Sequence, residues 1–191
     1  TAVSVGAAKS AKIWSVTSRA EYRTSDTEDK WGLTLGFYGE PVKGAGFSAG
    51  LKYYDTDRLT GADQVSADLR LGFVWRPEAG RLIILDRLDM IMEDESGSGA
   101  STESRRIVNN ANFNFRLGEK AQVDVKYGAK YVLAGFSGDT YSGFTDFIGL
   151  SARYDISEKW DMGFSGGILH GWSAGLYEYT FGPSIGRTLA D

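Results

Sequence analysis

The chain contains no cysteine. That excludes disulfide bonds, thiolate metal sites and cysteine nucleophiles together. Long hydrophobic runs are also missing. The purest aliphatic run is Leu82-Ile83-Ile84-Leu85, and nothing approaches the ~20 apolar residues a membrane-spanning helix needs. Mean hydropathy is −0.26, too low for a bundle of such helices. Basic charge is not in excess either. The 21 Lys and Arg against 25 Asp and Glu give a net charge of −4, which argues against nucleic acid as a partner. There is one histidine, His170. No phosphate loop, dinucleotide fingerprint, zinc motif or glycosylation sequon occurs, so no cofactor and no metal site is expected. The opening Thr1-Ala2-Val3-Ser4 is not a signal peptide; the expectation is that any leader or upstream region was removed.

What the chain does have is glycine and aromatic residues: 25 Gly and 13% Phe, Trp and Tyr, beside only 3 Pro. That mixture favours many strands with tight turns over helices. The arrangement is more telling than the totals. Trp14, Val16, Ser18, Ala20 and Tyr22 share one parity; Ser15, Thr17, Arg19, Glu21 and Arg23 share the other. Val65, Ala67, Leu69, Leu71, Phe73 and Trp75 oppose Ser66, Asp68, Arg70 and Gly72. Ala121, Val123, Val125, Tyr127, Ala129 and Tyr131 oppose Gln122, Asp124, Lys126, Gly128 and Lys130. This is the two-residue period of a strand. It lasts about as long as the 9–11 residues a tilted strand needs to cross a bilayer. Equivalent segments begin near Trp31, Phe47, Ala111, Ile148, Trp160 and Tyr177.

The segment Arg81–Met92 is ambiguous, because either parity mixes apolar residues with charge: Leu82, Ile84, Asp86 and Leu88, or Ile83, Leu85, Arg87 and Asp89. A bulge could correct it, and a short helix through Leu82, Leu85, Leu88 and Met92 is also drawable. Reading it as a strand gives an even total of about ten. The expected fold is therefore an all-β, antiparallel, up-and-down transmembrane β-barrel occupying residues 1–191 as one domain. A soluble ten-stranded barrel or sandwich is the alternative.

Connections and rings bear on that choice. Short links are expected near Pro77–Gly80, Gly118–Lys120 and Ser157–Lys159. Longer polar ones are expected near Asp55–Asp63, Glu93–Arg105 (with a flexible tip at Glu95–Ser104), Ser137–Gly143 and His170–Gly175. Short periplasmic turns and long external loops are the habit of outer-membrane barrels, and ten strands would put both termini in the periplasm. Tyr22, Trp31, Tyr53, Tyr131, Trp172 and Tyr177 fall near the external strand ends. Phe37, Trp75, Phe115, Tyr154 and Trp160 fall near the periplasmic ends. Two aromatic belts suit the two membrane interfaces. The expected location is the outer membrane of a Gram-negative cell envelope, with lipid and lipopolysaccharide as partners and other subunits of an envelope complex as a further class.

The other parity carries Arg19, Glu21, Arg23, Lys52, Asp68, Arg70, Arg116, Asp124, Lys126, Lys130, Arg153, Asp161 and Glu178, expected to line the lumen. Gly32, Gly36, Gly50, Gly72, Gly128, Gly149, Gly163 and Gly167 share that face, where small residues let a narrow barrel close. Mixed charge here reads either as cross-bracing that shuts the lumen or as a charge-selective water-filled path.

Enzymatic chemistry is thin. His170 with Ser173, and with Asp139 or Glu178 as orienter, is the only rim constellation that could be drawn, and a solvated loop histidine is the plainer reading. No catalytic residue is therefore assigned. Acidic groups at Asp55, Asp57 and Asp63, at Glu93, Asp94 and Glu95, and at Asp139 could offer oxygen ligands to Ca²⁺, but "DTDRLTGAD" departs from the EF-hand pattern.

From residue 81 onward the stretches "RLIILDRLDMI", "RIVNNANFNFRL", "YGAKYVL", "YSGFTDFIGLSARYDISEKWDMGF" and "YTFGPSIG" resemble the C-terminal barrel of large proteobacterial cell-surface repeat proteins, and residues 13–38 resemble the opening of that barrel. The resemblance implies an outer-membrane domain that anchors, exports or assembles a larger surface protein or complex. A porin-like pore for ions or small solutes is the alternative, and a rim hydrolase a second one. Such barrels run on past the "SIG" strand toward a terminal aromatic, whereas here the sequence reads Thr188-Leu189-Ala190-Asp191. Truncation, with twelve strands in the parent, is therefore also expected.

Overall fold

Alternation commits each segment to the extended state, because only a strand sends successive side chains to opposite faces. In a computed structural model, residues 1–97 and 99–188 are described, and no helix occurs among them. Eleven strands form one antiparallel meander. They are β1 (Ala2–Ser10), β2 (Trp14–Thr24), β3 (Glu28–Val42), β4 (Ala45–Arg58), β5 (Asp63–Trp75), β6 (Leu82–Gly97), β7 (Ala100–Arg116), β8 (Ala121–Phe136), β9 (Asp139–Asp155), β10 (Trp160–Gly171) and β11 (Leu176–Arg187). Each is bonded to its sequence neighbours in strict order, and β1 and β11 are not paired with one another, so the sheet is open. Among the described residues there is one sheet and no second layer, so the sandwich is not what forms.

The count is eleven rather than ten. The additional strand, β1, reads AVSVGAAKS; its small residues blunt the contrast between faces. The odd number has a geometric consequence. Ala2 lies beside Arg23 at one end of the sheet, whereas Arg187 lies beside Trp160 at the other. The first and last strands therefore do not leave both described chain ends on one side, as an even count would. The truncation expected at Leu189–Asp191 falls outside the described residues.

Connections are uniformly short. Of the stretches expected to be long loops, Asp55–Asp63, Glu93–Arg105 and Ser137–Gly143 are mostly strand, whereas His170–Gly175 is mostly a turn, at residues 172–175. β4 and β5 stay paired to Asp57–Asp63, β6 and β7 to Gly97–Ala100, and β8 and β9 to Phe136–Asp139. The expected flexible tip at Glu95–Ser104 is mostly hairpin, with Glu95 opposite Thr102 and Ser96 opposite Ser101. Polar composition at these positions marks ladder that extends past the apolar band. Among the described residues the only register shift falls between Gly39 and Val42, where Pro41 lacks a ladder donor and a bulge accommodates it.

Register resolves β6. Asp89 is opposite Arg70 and Val108, Arg87 opposite Gly72 and Asn110; Asp86 is opposite Phe73 and Ala111, Met90 opposite Leu69 and Ile107. The Arg87–Asp89 parity therefore joins the polar face, and Asp86 is a polar intruder on the apolar one. That intrusion, with Ile83, Leu85 and Ile91 on the polar face, is why neither parity reads cleanly.

The polar face is concave. Ser48, Arg70, Arg87, Asn110, Lys126 and Phe147, on strands β4 to β9, line a single cavity of about 580 Å³, which a flat or oppositely curved sheet could not bring together. The convex face carries most of the exposed large hydrophobics, from Trp31 and Phe37 to Phe164, Phe181 and Ile185. Ala45 is the one buried hydrophobic residue among those described, so the sheet has no conventional core.

Turn geometry depends on one glycine above the rest. Gly44, between β3 and β4, has φ +83°, and a Cβ there would run into the carbonyl oxygen of Arg76. Gly61 has a similar φ of +78°, with open space around it. Gly61→Ala should therefore cost about 1–2 kcal/mol, the left-handed penalty alone. Gly44→Ala should cost more, because backbone must also move. Urea-induced loss of the folded, heat-modifiable gel band should rank the two in that order.

Candidate functional site

All of Arg19, Glu21, Arg23, Lys52, Asp68, Arg70, Arg116, Asp124, Lys126, Lys130, Arg153, Asp161 and Glu178 share the concave face by register. The structure adds Arg87, Asp89, Glu93, Arg106 and the ladder Asn110, Asn112 and Asn114 to that face. The ambiguous parity of β6 hides Arg87 and Asp89 in the sequence, and the loop expected at Glu93–Arg105 hides Glu93. The eight glycines named above lie on the same face. A Cβ on Gly32 would sit 2.5 Å from the Tyr54 ring, so the ring rests on bare backbone there.

The charges form local networks. Asp89 is the centre of one: Arg70 Nε donates to its Oδ1 at 2.7 Å and Arg87 Nε lies 2.8 Å from its Oδ2. The Asp89 side chain is only 9% exposed, whereas both arginines are about half exposed (50% and 53%). One sheltered carboxylate thus holds two guanidinium groups on the wall. Asp68 Oδ2 lies 3.8 Å from Arg70. Glu21 sits between Arg19 and Arg23 at 3.2 and 3.4 Å. Arg106 meets Glu93 at 2.9 Å, Arg58 meets Glu95 at 2.7 Å, and Arg153 meets Asp155 and Asp161 at 3.2 and 3.3 Å. Asn114 donates to Asp124 at 2.5 Å. Among the described residues, none of these pairs reaches farther than two strands along the sheet, and Lys52, Lys126, Lys130 and Arg116 have no ion-pair partner.

The convex face carries Tyr22, Trp31, Phe37, Tyr53, Trp75, Phe115, Tyr131, Tyr154, Trp160 and Tyr177 by register, and Trp172 stands in the turn between β10 and β11. Their polar handles are used. Trp31 Nε1 donates to Asp55 at 3.3 Å, and Trp172 Nε1 donates to Asp146 at 2.9 Å. The Arg187 guanidinium lies 5.3 Å from the centre of the Trp160 ring. Two polar groups interrupt the apolar field: Asp86, which accepts from Asn109 Nδ2 at 2.9 Å, and the Asp146–His170 pair at 3.6 Å.

The rim constellation does not assemble as drawn from sequence. His170 lies on the convex face against Asp146, and Glu178 is on the opposite face. Its ring stacks on Tyr177 at 4.2 Å. Ser173 Oγ accepts from the Phe144 amide and donates to the Ser142 carbonyl, each at 3.4 Å, and no hydrogen bond joins it to His170 among the described residues. The acidic groups are likewise dispersed. Alternation sends Asp94 to the convex face, where Arg105 Nη2 donates to it at 2.8 Å, while Glu93 and Glu95 pair with arginines on the concave face. Among the described residues no group of three or more His, Asp or Glu could hold a metal ion.

No family model and no curated protein matches this sequence. Solved structures do share its fold. One is OmpT (in-vitro folded), an outer membrane protein of Vibrio cholerae. It is 12% identical over 96% of this chain and 63% of its own, at a TM-score of 0.53. Another is the copper transporter OprC, 9% identical over all of this chain and 42% of its own, at a TM-score of 0.58. The likeness is one of fold: this sheet is the antiparallel up-and-down sheet of outer-membrane β-barrels. The chain spans less than two thirds of the length of either protein.

Two outcomes follow. Asp89→Ala leaves Arg70 and Arg87 facing each other without their shared anion, and should cost about 1–3 kcal/mol in the denaturant midpoint of the folded protein. Asn109→Leu leaves the Asp86 carboxylate without its donor and should destabilise by a similar amount. Adding Asp86→Leu should recover most of that loss, because replacing both polar partners by apolar groups is nearly neutral.

Proposed function

We propose that the chain forms wall strands of a bacterial outer-membrane β-barrel. In this reading the convex face meets lipid and lipopolysaccharide, and the concave face lines a conduit for small solutes that favours anions. Two physical arguments support the membrane setting. An open layer that exposes Trp31, Phe37, Phe164, Phe181 and Ile185 is unstable in water but suited to hydrocarbon. Rings whose N–H groups find carboxylates at the strand ends suit the interfaces, where one side is apolar and the other wet.

The observation that carries the conduit reading is the course of the ion pairs. They run along the wall, between residues on the same, adjacent or next-but-one strands. A lumen shut by cross-bracing would need pairs that span it. Pairing along the wall leaves Lys52, Lys126, Lys130 and Arg116 without an ion-pair partner among the described residues, and of the acids named on this face only Asp124 and Glu178. A wall whose unpaired cations outnumber its unpaired acids attracts anions. The anchor or export role is the competing reading; it needs a folded barrel but no open path. No residue is assigned to catalysis here.

The experiment is conductance across a planar bilayer, on protein shown by heat-shifted mobility to be folded. Stepwise currents with anion preference are expected. Lys126→Glu with Lys130→Glu should reverse or abolish that preference without removing the current. Folded protein that passes no current would overturn the conduit and leave the anchor.

A further inference from the structure

Register builds two neighbouring rows across the middle of the concave wall. Arg87, Asn110, Gly128 and Phe147 stand opposite one another in turn on β6 to β9. Beside them, Val74, Leu85, Asn112 and Lys126 do the same on β5 to β8. Both rows line the cavity of about 580 Å³, a size within the roughly 300–1,000 Å³ of small-molecule sites.

Gly128 opens a gap in the first row. A Cβ there would meet nothing nearer than Asn110 Oδ1 at 3.7 Å and Phe147 Cβ at 3.8 Å, so packing within the wall does not demand glycine. Gly149 and Gly167 differ. A Cβ on either would lie 2.8 or 2.7 Å from the Phe147 ring, which fills that space itself. The ring is thus seated on bare backbone at one side of an open gap. On the other side, past Asn110, stands Arg87. Its Nε lies 2.8 Å from Asp89 Oδ2, and its Nη groups make no hydrogen bond or ion pair among the described residues. Lys126 adds a second cation, and Arg70 a third that shares Asp89. The Asp86 carboxylate also borders the cavity, but it accepts from Asn109 on the convex face.

A guanidinium edge takes a carboxylate in a bidentate pair. The Phe147 ring, Val74 and Leu85 suit a flat apolar body, which an inorganic anion does not have. We infer that this cavity binds aromatic monocarboxylates. The carboxylate pairs with the Nη edge of Arg87, with Lys126 adding charge from the next row, and the aromatic ring occupies the gap over Gly128 beside Phe147. The inference deepens the conduit reading above and rests on it for a concave face that meets water.

Full-length protein, folded in detergent and checked by heat-shifted mobility, would be titrated with benzoate, and binding read by NMR saturation transfer from protein to ligand. Acetate (a carboxylate without a ring) and benzyl alcohol (a ring without charge) are the comparison probes. Saturable benzoate binding is expected, with each comparison probe about tenfold weaker or more, because each gives up one of the two contacts. Gly128→Val fills the gap with a residue that strands favour and should abolish saturable binding in protein that keeps its heat-shifted mobility. Arg87→Lys should weaken binding about tenfold, since an ammonium presents no fork. Lys130→Gln, on the same strand and face as Lys126 but outside the cavity, should leave binding unchanged. Acetate binding as well as benzoate, or benzoate binding that survives Gly128→Val in folded protein, would overturn the site. If Gly128→Val does not fold, the comparison of the three probes on the unsubstituted protein decides. Binding is read without current, so the two readings fail separately. Protein that conducts but shows no saturable benzoate binding overturns the site and leaves the conduit. Gly128-dependent binding in protein that passes no current supports the site and faults the conduit.

Discussion

The structure depends on one coupling: every strand bonds its backbone to both neighbours while its side chains alternate between two faces. Once β2 pairs with β3 so that Glu21 stands opposite Gly32, the face of every later residue is determined strand by strand through to Gly186. Backbone satisfaction and side-chain segregation are thus one requirement. A slip of a single residue would send Arg70 to the apolar face and Leu71 to the polar one. Among the described residues the sheet tolerates one irregularity, the bulge at Glu40–Pro41, and it falls near a strand end.

Electrostatics follows from that segregation. Confining most charge to one concave face brings basic and acidic groups within reach across adjacent strands, so they pair locally. Asp89 illustrates the effect. Its carboxylate is sheltered because Arg70 and Arg87 fold over it from the neighbouring strand and from two residues away on its own. A buried anion with two hydrogen-bonded partners is tolerable, whereas the same group alone would not be. The apolar face obeys the rule in miniature: Asp86 has Asn109, and Asp146 has Trp172 and His170.

Much of this was legible in the residues. The strands from Trp14 onward and the shared parity of Arg19, Lys52, Arg70, Asp124, Lys126 and Arg153 within their strands follow from period and position. Three things were not. β1 was missed because Ser4, Gly6, Ala7 and Ala8 are too alike in size and polarity to show a contrast. The parity of β6 is undecidable because Asp86 breaks the apolar series and Ile83, Leu85 and Ile91 break the polar one. The expected long loops other than His170–Gly175 were polar hairpin, since polarity reports that a residue meets water and does not distinguish a loop from a ladder that projects beyond the apolar band. The rim triad failed because sequence proximity of His170 to Ser173 and Glu178 says nothing about which face each occupies.

The sequence by itself determined the fold class, because a two-residue period sustained over ten or so positions has no other low-energy conformation. It also determined which residues could share a face within a strand. Only the tertiary structure decided how faces join between strands, which carboxylate serves which guanidinium, and that the polar face is the concave one. Those depend on register, and register is set where two strands meet rather than within either of them.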